Sequence, residues 1–313
     1  MLKDIKIFSA ESSEALAKQI ALKLETTLGC LVFEKFSDGE YQPNIRESVR
    51  GKTVFFVQST FAPVDNLMGL LMMIDAAKRA SAKYVVAIIP YYGFARMDRK
   101  DKPRVPIGAK LVADLITTAG ADRIMTMDLH SPQIQGFFNI PVDHLEASAI
   151  FLPYISKMQV QGKYQNLIFA SPDMGSSKRV RNFANHFKTD LVICDKHREV
   201  ANEVSSIRVI GDVQGKDVII IDDIVDTAST LTKAADELLE KGALSVSALC
   251  THAVMSGSAY QKIEASALSE LVVTDTIPLR EHSAKIKVLS VDDLFATAIR
   301  CVVENRSISD LFV

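Results

Sequence analysis

The stretch from Val218 to Thr230 sets two carboxylates, Asp222 and Asp223, directly after four β-branched apolar residues. Small and hydroxyl residues follow: Asp226, Thr227, Ala228, Ser229 and Thr230. A continuous β-branched run reads as a strand buried on both faces. A helical period from Leu231 to Glu240 comes next. This order places the polar residues beyond the carboxyl end of a strand, where open α/β sheets bind ligands. Backbone N–H groups at a helix start, with the hydroxyls of Thr227, Ser229 and Thr230, would hold a phosphate. Carboxylates beside it would avoid that charge and face sugar hydroxyls or a metal. A phosphorylated sugar meets both demands, although the local pattern also fits a helix start with no ligand.

Other stretches carry similar chemistry. Ser171-Pro172-Asp173-Met174-Gly175-Ser176-Ser177-Lys178-Arg179 is a second small-residue loop after a strand, suited to a diphosphate and a metal. Tyr91 to Lys100 joins aromatics, Gly93 and the bases Arg96, Arg99 and Lys100, where a planar base could stack and a polyphosphate could meet arginine. A charged surface loop fits it equally well. His130, beside Asp128 at a strand end, suits a metal, a phosphate or a purely structural role. Phe36-Ser37-Asp38-Gly39-Glu40 reads locally as a solvated turn with a positive-φ glycine. Asp195-Lys196-His197-Arg198 closes another strand, and Glu199 to Ser206 reads as a flexible excursion.

The elements that must position these residues alternate between strand and helix. Strands are predicted at Ile5–Phe8, Cys30–Phe36, Thr53–Gln58, Tyr84–Ile89, Arg123–Asp128, Leu167–Ala170, Leu191–Cys194, Leu244–Cys250 and Leu271–Thr274, with a short one from Val209. Helices are predicted at Ser12–Leu24, Val64–Ala80, Ile107–Thr118 and Val291–Glu304. Gly120-Ala121 begins a strand that reaches His130, and Gly242-Ala243 one that reaches His252 at the same spacing. This short echo suggests two related halves joined near residues 145–150. The expected fold is α/β, with two similar domains, 1–147 and 148–303, each a mostly parallel sheet flanked by helices. A tail from about 304 to 313 is expected to return to the first.

The chain has 313 residues, enough for two such domains, and its 48% hydrophobic and 24% charged shares are those of a globular protein. A net charge of −2 without long basic runs offers no nucleic-acid face. Cys30, Cys194, Cys250 and Cys301 form no CxxC, which points away from zinc and toward a reducing compartment. No signal core and no apolar run of membrane-spanning length is found, so a cytoplasmic protein is expected.

Taken together and in order, these motifs resemble the ribose-phosphate diphosphokinase (phosphoribosyl diphosphate synthase) family. The resemblance runs from Phe36–Glu40 through Tyr91–Arg96, Asp128–Phe138, Ser171–Asp173, Asp195–Arg198 and Val218–Thr230 to Leu311-Phe312. It implies that ATP and ribose 5-phosphate give 5-phosphoribosyl 1-diphosphate and AMP, with Mg²⁺ as the cofactor. It implies that Phe36, Asp38, Gly39, Glu40, Arg96 and Met97 bind ATP. Asp222, Asp223, Asp226, Thr227, Ala228, Ser229 and Thr230, with Arg198, would bind ribose 5-phosphate. Lys196 and Arg198 would be catalytic, at the root of a lid, and His130 and Asp173 would position the metal. It further implies a homo-oligomer, a hexamer built from dimers, and an allosteric site at Ser48, Arg50, Lys102, Arg104, Ser307, Ser309 and Phe312.

Four positions depart from the family pattern. Met97 stands for a glutamine, Ser229 and Ser176 for glycines, and His197 for an arginine. Met97 loses a polar contact, and a Cβ at Ser229 would be strained if φ there must be positive. Two other readings follow. A phosphoribosyltransferase would use only the second half of the chain and leave Asp38, Arg96 and His130 unexplained. A regulatory, non-catalytic paralogue is favoured by the substitutions and opposed by the presence of Lys196 and Arg198.

Overall fold

The computed structural model describes residues 4–197 and 206–311. The chain divides into one unit of Met1–Glu146, Thr276–Pro278 and Ser290–Val313 and a second of Ala147–Asp275 and Leu279–Leu289.

The first unit begins with β1 (Ile5–Ser9), α1 (Glu14–Lys23), and the strands β2 (Leu31–Lys35) and β3 (Tyr41–Ile45). β4 (Thr53–Val57), α2 (Asp65–Arg79), β5 (Tyr84–Ile89), α3 (Gly108–Ala119), β6 (Arg123–Met127) and β7 (Val142–Leu145) follow. β1, β4, β5, β6 and β7 form a parallel sheet in that order. Its apolar runs are buried because helices cover it: Phe8, Phe56, Val85 and Ala87 meet Leu70, Ile74 and Ile116 in one core. β2 and β3 form a separate antiparallel hairpin, and its Leu31, Phe33 and Ile45 pack against that core.

The second unit contains α4 (Ser148–Val160), β8 (Leu167–Ser171), α5 (Ser177–Phe187), β9 (Leu191–His197), β10 (Ser206–Ile210) and β11 (Asp217–Val225). α6 (Ser229–Glu240), β12 (Ser245–Ala253), α7 (Ala259–Ala265), β13 (Glu270–Thr274) and β14 (Ile286–Leu289) complete it. The sheet order is β10-β9-β8-β11-β12-β13-β14, with only the β9–β10 pair antiparallel. The last helix, α8 (Asp292–Val303), belongs to the first unit, where it packs on α1 and Arg300 donates to the Lys23 carbonyl. The returning segment thus begins at residue 290, ahead of the tail.

The glycine echo is structural. After α3, Gly120 N–H bonds the Thr117 carbonyl and Ala121 N–H the Ile116 carbonyl. After α6, Gly242 N–H bonds Leu239 and Ala243 N–H bonds Leu238 in the same pattern. Both glycines have positive φ, +108° and +92°, as this helix ending requires.

Two expectations change. β11 runs through Asp222 and Asp223 to Val225, so the acidic pair lies inside a strand and not after it. The cause is unequal neighbours: pairing with β8 stops at Ile220↔Ala170, whereas pairing with β12 continues to Val225↔Ala253. β9 likewise extends through Asp195, Lys196 and His197, because β10 pairs back along it to Ser206↔His197.

Candidate active site

In the second unit, β11 delivers the acidic pair beside the point where β8 has ended. Asp223 is buried and forms an ion pair with Arg179 of α5, Oδ1 to Nη1 3.2 Å. Asp222 is half-buried, and its Oδ1 accepts from Asp223 N–H at 3.0 Å and Ser176 Oγ at 3.3 Å. Burial first, then the charge and hydrogen bond of Asp223 and the charge of Asp173, push the Asp222 carboxyl up to about 8, against the pull of Arg179. Asp173 is turned into the same cluster by its own loop. Its Oδ1 accepts Ser176 N–H at 2.9 Å, and Ser171 Oγ bonds its carbonyl at 2.6 Å. Ser176 therefore links the loop to the acidic pair, which a glycine there could not do through a side chain. Beneath Asp222, the buried thiol of its strand partner Cys250 is pushed far up by desolvation and the two carboxylates.

The hydroxyl loop closes this end of the unit. Ala228 has φ +60°, and α6 begins at the next residue with no side chain capping it. Ser229 is thus the first helical residue, and the left-handed position belongs to Ala228. A Cβ at Ser229 meets no backbone strain, which removes that concern. Thr227 Oγ1 donates to Ser229 Oγ at 3.3 Å. Asp226 accepts from Ser256 Oγ, while Ser256 N–H bonds the Asp226 carbonyl at 3.0 Å, so the loop after β12 braces it. Lys262 Nζ donates to Ser229 Oγ at 2.6 Å. An uncapped helix start lined by hydroxyls, with carboxylates set one strand-end back, is chemically a place for an anion joined to a polyol.

In the first unit, Phe36 to Glu40 is the β2–β3 hairpin turn. Phe36 N–H bonds the Glu40 carbonyl at 2.8 Å, Asp38 Oδ1 takes Glu40 N–H at 3.0 Å, and Gly39 supplies φ +96°. All five residues are exposed, Phe36 by 50% of its surface, so a ring and two carboxylates stand together in solvent. After β5 the picture differs from the stacking platform considered for the aromatics. Tyr91 and Tyr92 are buried, and Tyr92 packs edge-on to Phe138 and donates to the Ala109 carbonyl at 2.9 Å. They are core residues that anchor the loop, and Phe94, 38% exposed at φ +64°, is the aromatic left at the surface. Gly93 is required by close approach: a Cβ there would lie 2.1 Å from the Thr60 carbonyl oxygen. Arg96 is exposed, while Met97 lays its side chain over Gly108 and its carbonyl accepts Ala109 N–H at 3.1 Å, fixing the start of α3.

His130 is exposed at the end of the loop after β6. The preceding Asp128 is held at φ +38°, and Leu129 N–H bonds His144 Nε2 at 2.9 Å. Among the described residues no group of three histidine, cysteine or carboxylate side chains could enclose a metal ion. Ser48, Arg50, Lys102 and Arg104 are exposed, and Ser307 Oγ bonds Ser309 Oγ at 2.8 Å. Among the described residues no hydrogen bond or ion pair joins these three segments. Lys196 lies on β9 opposite Ile207. Arg198, Phe312 and the expected lid up to residue 205 lie outside the described residues. Arg179 belongs to the second small-residue loop but has no separate role in its sequence pattern, and Lys262 carries no local signal that distinguishes it from a surface base.

The chain matches the model of the N-terminal domain of ribose phosphate pyrophosphokinase over residues 5–120 and that of the phosphoribosyl synthetase-associated domain over 196–313. It is 53% identical to a ribose-phosphate pyrophosphokinase of Campylobacter jejuni and 55% to one of Wolinella succinogenes, each over 100% of both chains. It is also 53% identical to that of Porphyromonas gingivalis, over 99% of this chain and 98% of the relative. The crystal structure of phosphoribosylpyrophosphate synthetase from Mycobacterium smegmatis superimposes with a TM-score of 0.91, at 40% identity, over 96% of this chain and 99% of that one. With full-length relatives above half identity and the same two-unit α/β fold, the chain belongs to the ribose-phosphate pyrophosphokinase family.

Proposed function

We propose that this chain transfers the β,γ-diphosphoryl group of ATP to the C1 hydroxyl of ribose 5-phosphate. The observation that carries this reading is the junction of β11 and α6. The uncapped α6 start with Thr227, Ser229 and Thr230 suits the 5-phosphate, and the oriented Asp222–Asp223 pair suits ribose hydroxyls. The C1 oxygen attacks the β-phosphorus, its proton is lost, and the bond from that phosphorus to the oxygen bridging it to the α-phosphate breaks. AMP leaves and 5-phosphoribosyl 1-diphosphate remains. Such a reaction needs alignment and charge stabilisation more than covalent help.

The roles divide by unit. The first contributes ATP binding, with Phe36 stacking on adenine, Asp38, Gly39 and Glu40 at its polar edge, and Arg96 with Met97 on the rest of the nucleotide. The second binds ribose 5-phosphate through Asp222, Asp223 and Asp226–Thr230. Lys196 and Arg198 stabilise the charge of the transferring group. Asp173, Asp222 and Asp223 crowd carboxylates beside the guanidinium of Arg179, a donor set that favours a cation. These hard oxygens suit a hydrated cation that takes few protein ligands, as Mg²⁺ does. Asp173 and His130 are the side chains to hold it, directly or through water. When bound, Mg²⁺ neutralises charge on the phosphate oxygens.

The same reading gives a cytoplasmic homo-oligomer, a hexamer built from dimers, with Ser48, Arg50, Lys102, Arg104, Ser307, Ser309 and Phe312 in an effector site. No described helix is long and apolar enough to cross a membrane. Purified protein with ATP, Mg²⁺ and ribose 5-phosphate should release AMP and 5-phosphoribosyl 1-diphosphate together. AMP release without the sugar phosphate, or no release at any phosphate concentration, would overturn the proposal. Silence would favour a regulatory paralogue, and consumption of the diphosphate by a free nucleobase a transferase.

A further inference from the structure

Lys262 lies on α7, half-buried, and its ammonium donates at 2.6 Å to the hydroxyl of Ser229, the first residue of α6. The two residues are 33 positions apart, so this contact is made only by the fold. No carboxylate among the described residues pairs with Lys262. An ammonium at this place faces the positive end of a 12-residue helix. That arrangement is unfavourable by itself, because helix starts favour anions and repel cations. Asp226, the nearest acid in the loop sequence, accepts instead from Ser256. An anion shared by the ammonium and the helix start turns two repelling positive groups into two ligands.

We infer that Lys262 binds the 5-phosphate of the sugar and that Ser229 holds it there. The inference rests on the reading of the β11–α6 junction as the sugar-phosphate site. It also gives the serine that stands for a glycine a function: its hydroxyl anchors a lysine that a glycine could not hold. Lys262 forms a charge-assisted bond to a phosphate oxygen, and Thr227 and Thr230 take others. The lysine acts on binding and takes no part in diphosphoryl transfer.

The test is calorimetric titration with ribose 5-phosphate in the presence of Mg²⁺ and α,β-methylene ATP, which cannot be cleaved at the scissile position. Lys262→Met should weaken sugar-phosphate binding about 10- to 100-fold, the range of a lost hydrogen bond to a charged group. The affinity for the nucleotide analogue should be unchanged, and the ligand-free variant should melt at or slightly above the unaltered protein, because the unfavourable charge at the helix start is gone. Lys262→Arg should recover most of the loss, and Ser229→Ala should weaken binding about 2- to 5-fold. Unchanged sugar-phosphate affinity in Lys262→Met, or equal loss for both ligands, would overturn the inference while leaving the site reading intact. If the unaltered protein binds the nucleotide analogue and not ribose 5-phosphate, the site reading itself fails and takes the inference with it. Should Lys262→Met fail to fold, Lys262→Gln and Ser229→Ala read the same contact, and unaltered affinity in both would overturn it.

Discussion

Replacing Asp222 by asparagine should make the ligand-free protein more stable and abolish its activity. The carboxyl of Asp222 is pushed from 3.8 up to about 8 by burial and by Asp223 and Asp173. A carboxyl whose pKa is raised by folding contributes its full stability only below its unfolded value. That contribution is lost as pH rises toward the folded value. At pH 7 the shift corresponds to roughly 4 kcal/mol, from 1.36 kcal/mol per pH unit. Water reaching a half-buried residue reduces this to about 1–3 kcal/mol. An asparagine carries no such cost, and its amide oxygen can still accept from Ser176 and from Asp223 N–H. In thermal melts of the metal-free protein, Asp222→Asn should therefore melt higher than the unaltered chain by about 2–10 °C near neutral pH. The gap should widen from pH 5 to pH 8 and level off above. A variant that melts at or below the unaltered protein across this range, or a gap independent of pH, would refute the reading of the cluster as crowded carboxylates.

Other outcomes follow from the same structure. Lys196→Ala should lower turnover about 10²- to 10³-fold, as removal of a transition-state donor does, with an unchanged melting temperature; comparing kcat with a melting curve checks it. Gly93→Ala, whose Cβ would lie 2.1 Å from the Thr60 carbonyl oxygen, should cost about 1–3 kcal/mol in denaturant unfolding and weaken ATP binding by moving Arg96. Burial tends to raise the Glu270 carboxyl, but its bonds from Lys163, Tyr164 and Tyr154 outweigh that and hold it below its ordinary value. Its stabilisation is present above its unfolded pKa and is lost as pH falls through the folded one. Glu270→Gln should cost about 1–3 kcal/mol at pH 7, and the difference should shrink below about pH 4.5, as acid-unfolding curves of the two proteins would show.

Much of the fold is legible because its strands are buried on both faces and are written as unbroken β-branched runs, such as Val218 to Ile221. The paired helix endings at Gly120 and Gly242 are legible for a different reason, since that ending needs positive φ. Short or half-exposed elements are not legible: β3 contains Pro43, β7 is four residues long, and α7 is seven. The sequence puts Asp222 and Asp223 just beyond a strand, because charge normally ends a buried run. Here β12 continues to pair after β8 has stopped, and no local signal carries that. Tyr91 and Tyr92 have the same types as a stacking platform, and only the neighbours Phe138 and Ala109 make them core. Arg179 and Lys262 reach the candidate site from other helices, so their roles exist only in three dimensions. The sequence alone points to strain at Ser229, because the residue that takes positive φ, Ala228, cannot be told from its neighbours.

The most direct test of the proposed chemistry follows individual phosphorus atoms. ATP labelled at the β-phosphorus is incubated with the protein, Mg²⁺ and ribose 5-phosphate, and the products are separated. The reaction derived above requires the label to appear in 5-phosphoribosyl 1-diphosphate, with unlabelled AMP formed in equal amount. Label recovered in ADP or in free diphosphate, with none on the sugar, would contradict it.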